Sequence, residues 1–243
     1  MLRKMVLVFV IALIAASCSS NATPTTSPAG ATSTAPVPLQ VMPPWKGSEH
    51  ATYNIIKDSD QSALGTGTID IQPGGDVTTI EQRYQIGAVN QHFVVTVDAQ
   101  TLKPLTSTQE LTGSPNDFSL TATYVANKLT IMVKTPQGDK TATVDIPSDA
   151  YDNNSLLAIL RGFPFGTETA VSFTNVTTAN AAQIKSTATV ADQESVTVPA
   201  GTFDTYKVLL DFGGTQQTAW YEVADPHRLI KYDNGTTQFV LTQ

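Results

Sequence analysis

The stretch ESVTVPAGTFDTYKVLLDF, residues 194–212, decides the fold predicted for this chain. Tyr206, Val208, Leu210 and Phe212 alternate with the residues between them, and a period of two is the signature of a strand with one buried face. The sequence Pro199-Ala200-Gly201 divides this run from a similar one before it, and proline presets φ for the first corner of a tight turn. The stretch therefore predicts two antiparallel strands joined by a short turn.

The same alternation recurs on both sides of this hairpin, most clearly in residues 80–86, 93–97 and 129–133. Residues with turn chemistry separate the runs. They are Pro73-Gly74-Gly75-Asp76, Pro136-Gln137-Gly138-Asp139, Gly213-Gly214 and Asp233-Asn234-Gly235. Short strands divided by short turns predict an all-β fold of antiparallel meanders, with one buried and one solvated face.

One segment, Tyr151–Gly162, breaks the pattern and predicts a short helix. Asp152 or Asn153 could cap its N-terminus, and Gly162 suits its C-terminal cap. Phe163-Pro164-Phe165 then ends it. We expect this apolar helix to fill the open side of a curved sheet.

Residues 1–17 have the layout of a secretory signal peptide. The basic Leu2-Arg3-Lys4 precedes an apolar run, Met5–Ala16, which is too short to span a bilayer as a helix. The segment therefore predicts export from the cytoplasm.

Cys18, the only cysteine of the chain, follows the small residues Ala15, Ala16 and Ser17. Small residues before a cysteine resemble the bacterial lipobox, whose thiol is diacylated with chains such as palmitate before the signal is removed. Ala15 departs from that pattern, which usually has leucine there. Two acyl chains give stable anchoring, so Cys18 is the predicted lipid attachment site and the membrane a predicted partner. The alternative is an ordinary signal peptide cut near Ala16.

Residues 18–44 hold the cysteine and then a stretch rich in Thr, Ser, Pro and Ala that carries no charged side chain. Such a composition buries too little apolar surface to fold. It predicts a disordered linker that holds the domain away from a lipid surface, the alternative being a tail without a role.

Residues 45–243 are then predicted to form one domain, a size typical of a single all-β unit. The chain has a formal net charge of −7 and no basic stripe, which argues against nucleic acid as a partner. With no cysteine after position 18, the domain has no disulfide and depends on its apolar core.

The sequence offers no catalytic or metal-binding constellation. His50, His92 and His227 lie far apart and form no ligand pair, and Asp58-Ser59-Asp60 lacks the rest of a calcium loop. We found no Gly-x-Ser-x-Gly elbow and no Gly-rich phosphate loop. No catalytic residue, metal site or cofactor is therefore predicted.

Three segments together resemble the bacterial envelope proteins grouped as "domain of unknown function 3108". They are Glu194–Val208, Val97–Leu105 and the helix segment with Leu160–Phe165, and the closing hairpin Trp220–Tyr232 fits as well. The resemblance implies a strongly curved antiparallel sheet, similar in outline to envelope lipoproteins that carry lipids in a half-barrel. It transfers no catalytic residue, and Pro199, Gly201 and Phe203 are interpreted as folding devices.

These observations predict a non-enzymatic, lipid-anchored protein of the bacterial envelope that binds or carries an apolar ligand in the concave face of its sheet. Trp220, Phe239 and Leu129 are eligible to line that face. An envelope assembly or interaction module with a solid core is the alternative, and a hydrolase is a remote one.

Overall fold

The computed structural model describes residues 35–135 and 138–243, which form a single sheet of sixteen strands and one short helical segment. The strands are β1 Val37–Pro38, β2 Glu49–Lys57, β3 Ala63–Pro73, β4 Val77–Ile86, β5 Val89–Asp98, β6 Pro104–Thr112, β7 Phe118–Val125, β8 Lys128–Lys134, β9 Lys140–Asp145, β10 Ala150–Asp152, β11 Ala170–Thr177, β12 Ala182–Val198, β13 Gly201–Phe212, β14 Thr215–Glu222, β15 Leu229–Asp233 and β16 Thr237–Leu241. The helical segment consists of α1, Leu156–Ile159, and a 3-10 turn, Leu160–Gly162.

The sheet is built as two meanders joined side by side. Strands β11 to β16 follow one another, β16 pairs with β2, and β2 to β9 complete the sheet. The hairpin predicted from residues 194–212 is β12–β13, with Val198 opposite Gly201 at its turn. The all-β fold with one short helix is confirmed.

The sheet is curved and open, and its two ends approach each other. Leu120 of β7 and Leu129 of β8 lie in one apolar cluster with Val176 of β11. The side-chain amide of Gln183 in β12 donates to the carbonyl of Asp145 at the end of β9, at 2.8 Å. The enclosed side holds the main apolar core, to which α1 contributes the fully buried Leu156 and Ile159.

The predicted helix Tyr151–Gly162 is shorter in the structure and begins after a strand. β10, which includes Tyr151 and Asp152, pairs in parallel with β11. The Asp152 carboxylate accepts from the Asn154 amide at 2.7 Å, and such a local side-chain bond competes with helix formation. Ser155, not Asp152 or Asn153, precedes the first helical residue.

Residues 37–45 form a strap across the edge of β11. Val37 and Pro38 pair in parallel with Val171 and Ser172, and the strap residues Leu39, Val41 and Trp45 are buried. The predicted linker 18–44 therefore extends too far: from Val37 onward the chain packs on the domain, because these apolar side chains find a partner surface there. The predicted signal peptide, Cys18 and the predicted linker up to residue 34 lie outside the described residues.

Gly162 allows the strap to lie against the 3-10 turn. The Met42 amide donates to the Gly162 carbonyl at 3.2 Å. A Cβ atom at Gly162 would lie 2.2 Å from the Met42 carbonyl oxygen, a distance at which the backbone must move. The C-terminal glycine predicted for the helix is therefore required by the close approach of a second segment.

No helix among the described residues combines the length and apolar character needed to cross a bilayer.

Candidate ligand-binding site

A cavity of about 340 Å³ opens on the side of the sheet that the helical segment covers. It lies where β2 and β3 meet α1 and the loop between β14 and β15. Its apolar wall consists of Ile69, Ile71, Leu157, Leu229 and Leu241. Its polar side chains include Glu49, Arg161 and Arg228, so the cavity joins an apolar surface to a charged rim.

Arg161 is the central polar group of this cavity, and its side chain is only 6% exposed. Its Nε atom donates to the carbonyls of Pro226 and His227, both at 3.2 Å, and Nη2 donates to Pro226 at 3.0 Å. Its Nη1 atom lies 2.7 Å from the carboxylate of Glu49. A single buried guanidinium therefore connects the helical segment, the β14–β15 loop and the start of β2.

Arg228 is the more accessible cation of the rim, with 43% of its side chain exposed. Its Nε and Nη2 atoms donate to the carboxylate of Glu222 at 2.7 and 3.3 Å, and this hydrogen-bonded pair raises the pKa of Arg228. The guanidinium also lies 5.2 Å from the centre of the Phe203 ring. Glu222 therefore keeps the Arg228 guanidinium charged, and Glu222 and Phe203 together fix its orientation.

Two buried tyrosines brace the apolar wall. The Tyr53 hydroxyl donates to the Leu229 carbonyl and the Tyr221 hydroxyl to the Leu157 carbonyl, both at 3.0 Å. Burial raises the pKa of both phenols, so they stay neutral donors at ordinary pH. These bonds hold α1 and β15 in place around the cavity.

A second polar centre lies deeper, around Asp152. The Tyr124 hydroxyl donates to its carboxylate at 2.6 Å, and the Asn154 amide bonds its other oxygen. Burial raises the pKa of Asp152 to about 6. Asp152 does not line the cavity, and among the described residues it forms no ion pair, so it is a solitary buried acid.

The side chains that the sequence suggested for a binding surface do not line this cavity. Phe239 borders a separate space of about 40 Å³, and Leu129 belongs to the apolar cluster at the ends of the sheet. Trp220 lies between Lys207 and Lys231, whose ammonium groups are 5.7 and 5.0 Å from its ring. Phe239, Leu129 and Trp220 therefore belong to packed parts of the fold and not to the wall of this cavity.

The three histidines have separate partners. His50 lies 2.6 Å from Asp70, and His92 lies 2.7 Å from Glu81. His227 packs on Phe165, with ring centres 4.9 Å apart. In the part of the chain that the structure describes, no three His, Cys, Asp or Glu side chains are grouped so as to hold a metal ion.

Sequence reasoning missed Arg161, Glu49 and Arg228. A signal was available for Arg161, because an arginine between Leu160 and Phe163 interrupts an apolar segment, and a buried arginine needs partners. Nothing local marks Glu49 or Arg228, since their roles depend on strands far apart in sequence.

The fold and the cavity define a class: an open, curved antiparallel sheet whose covered face holds a helical segment and a small amphiphilic cavity. The chain belongs to the family described as protein of unknown function (DUF3108), which matches residues 51–242 and confirms the resemblance seen in the sequence. The match begins within β2 and continues through β16, so the strap and Glu49 lie outside it. No curated protein and no solved structure matches the chain.

Proposed function

We propose that this chain is a lipid-anchored, non-enzymatic protein of the bacterial envelope whose folded domain binds an apolar ligand. The cavity of about 340 Å³, with its wall of Ile69, Ile71, Leu157, Leu229 and Leu241, is the observation that carries this proposal. Its volume lies at the lower end of the range for small-molecule sites. Such a space fits one slender chain and is too small for several acyl chains together.

The position of the cavity relative to the strap supports a ligand drawn from the membrane. The strap ends at Trp45, whose ring lies 5.9 Å from the Arg161 guanidinium, and Glu49 follows at the rim. Only eighteen residues, 19–36, lie between Cys18 and the strap. An anchor at Cys18 would therefore keep the cavity close to the lipid surface.

The side chains of this cavity favour ligand binding over catalysis, because the polar groups of Glu49 and Tyr53 are already paired. Glu49 is held by Arg161 at 2.7 Å, so its carboxylate is compensated rather than available as a base. The Tyr53 hydroxyl is occupied by the Leu229 carbonyl. These groups fix the shape of the cavity.

An assembly module with a solid core is the second candidate, because most of the covered face is packed. In β5, Phe93, Val95 and Val97 are almost fully buried, and the same core includes α1. The two candidates differ in one respect, which is whether the cavity takes up a ligand.

Replacing Cys18 with serine tests the anchor. We expect the Cys18→Ser chain to lose the acyl mass and to keep its signal residues, because serine provides no thiol for acylation and diacylation precedes removal of the signal. The measurement is fractionation together with the intact mass of the N-terminal peptide. An unmodified cysteine in the wild-type chain, or a Cys18→Ser chain whose signal is still removed before residue 18, would refute lipidation at this position.

Filling the cavity tests the binding function. Ala51, on β2, lines the cavity, and we expect Ala51→Phe to reduce the amount of co-purifying lipid at least tenfold, since the ring would occupy its volume. Native mass spectrometry of the full chain released from membranes measures the bound mass. The matched control is Asn54→Phe, on the same strand but exposed and on the opposite face.

The control variant should keep the ligand. A wild-type chain that is always empty would leave the assembly module as the remaining function. Equal loss in both variants would show that the cavity is not where the lipid binds.

A further inference from the structure

Arginine is concentrated at the cavity although the chain as a whole is acidic. The sequence has four arginines and a net charge of −7, and two of those arginines, Arg161 and Arg228, line this one space. Among the described residues that line it, Glu49 is the only acidic side chain. Glu49 compensates Arg161 and Glu222 compensates Arg228, so the rim presents guanidinium hydrogen-bond donors rather than net positive charge.

Arg228 is the side chain that a ligand would reach. Arg161 is almost fully buried, and its Nε, Nη1 and Nη2 atoms already have partners. In Arg228 the bonds to Glu222 use Nε and Nη2, and Nη1 has no partner among the described residues. A guanidinium held from one side presents its other donors to a carboxylate or phosphate, which it binds in a forked geometry.

The apolar wall begins next to these donors. Arg228 and Leu229 are consecutive, and Leu229 closes the wall formed with Ile69, Ile71 and Leu241. A ligand with its polar end on Arg228 would extend along buried aliphatic side chains. Each methylene group transferred from water to such a surface adds to the affinity.

We infer that the cavity takes an amphiphile with one acyl chain and an anionic oxygen headgroup, either a carboxylate or a phosphate monoester. The headgroup bonds to Arg228 at the rim, and the chain lies against Ile69, Ile71 and Leu241. This inference rests on the proposed function, because it names the ligand class of the same cavity.

Calorimetric titration of residues 18–243 carrying Cys18→Ser, the predicted mature chain without its acyl groups, tests the ligand class. The probes are decanoate and decyl phosphate as anionic single-chain ligands, 1-decanoylglycerol as a neutral one, and acetate as an anion without a chain. We expect both anionic probes to bind about tenfold more tightly than 1-decanoylglycerol, and acetate to show no measurable binding.

Two variants test whether Arg228 causes the preference for anionic over neutral probes. Arg228→Gln should weaken decanoate binding about tenfold and change that of 1-decanoylglycerol less than twofold. Glu222→Gln should strengthen decanoate binding, since it releases donors that Glu222 occupies. The control is Arg83→Gln, an exposed arginine on β4 that pairs with Glu81 and does not line the cavity.

Each outcome decides one of the two proposals. Equal affinity for decanoate and 1-decanoylglycerol, or an unchanged preference in both Arg228→Gln and Glu222→Gln, overturns the anionic headgroup and leaves the apolar ligand in place. Acetate binding as tightly as decanoate would show an anion site that needs no chain. If no chain-bearing probe binds, the proposed function itself fails.

Discussion

Replacing Glu49 with glutamine is expected to lower the free energy of unfolding by about 2 kcal/mol. Removing one partner of a buried ion pair leaves the other charge uncompensated, which costs about 3–5 kcal/mol for a fully buried pair. Arg161 is 6% exposed but Glu49 is 24% exposed, so solvent reduces the loss. Glutamine keeps the size of the side chain and an acceptor oxygen, so the change isolates the charge.

Urea unfolding of the wild-type and Glu49→Gln chains measures this difference. The matched control is Asp145→Asn, which removes the acid of an exposed pair: the Lys128 and Asp145 side chains are 63% and 84% exposed. We expect that change to cost less than about 0.5 kcal/mol. If both variants cost the same small amount, the carbonyls of Pro226 and His227 alone stabilise Arg161.

Replacing Asp152 with asparagine is expected to change how stability depends on pH. Burial raises the pKa of Asp152 from 3.8 to about 6, so between these values the folded chain keeps a proton that the unfolded chain loses. This makes the wild-type chain less stable as pH rises through that range. The loss, about 3 kcal/mol when complete, is absent from Asp152→Asn.

The comparison needs urea unfolding at several pH values between 4.5 and 7. Over that interval the stability of the wild-type chain should fall by about 2 kcal/mol relative to Asp152→Asn. Tyr124→Phe removes a donor that stabilises the ionised carboxylate, so it should move the change to higher pH. Parallel profiles for all three chains would mean that Asp152 does not titrate in this range.

Much of the fold could be predicted because each strand carries its own signal. The alternation of Val208, Leu210 and Phe212 requires only that one face be buried, and β13 buries all three. The turn at Gly213-Gly214 likewise depends on local backbone chemistry, and it separates β13 from β14 as predicted.

The parts that could not be predicted depend on surfaces formed by distant segments. Leu39 and Val41 are apolar residues in a stretch rich in proline and threonine, and nothing local shows that the edge of β11 will receive them. Asp152 has the residue type of a helix cap, yet it ends β10, since pairing with β11 outweighs a local preference.

The candidate site was still harder to predict, because its residues come from segments far apart in sequence. Glu49 begins the β2–β9 meander, Arg161 follows its last strand, and Arg228 comes from the other meander. Their convergence requires β16 to pair with β2, which no residue pattern specifies. Composition could indicate an apolar surface, but not the charged rim beside it.

The strap has a mechanical consequence for a domain held by its N-terminal side. A pull on residue 36 would load the short β1–β11 pairing first, then the bond between Met42 and Gly162, and then buried Trp45. Beyond Trp45, the pull would next reach Glu49, the first residue of β2, at the rim of the cavity. Tension on the chain would therefore separate the strap from β11 before it reached β2, where it would act on the Glu49–Arg161 pair.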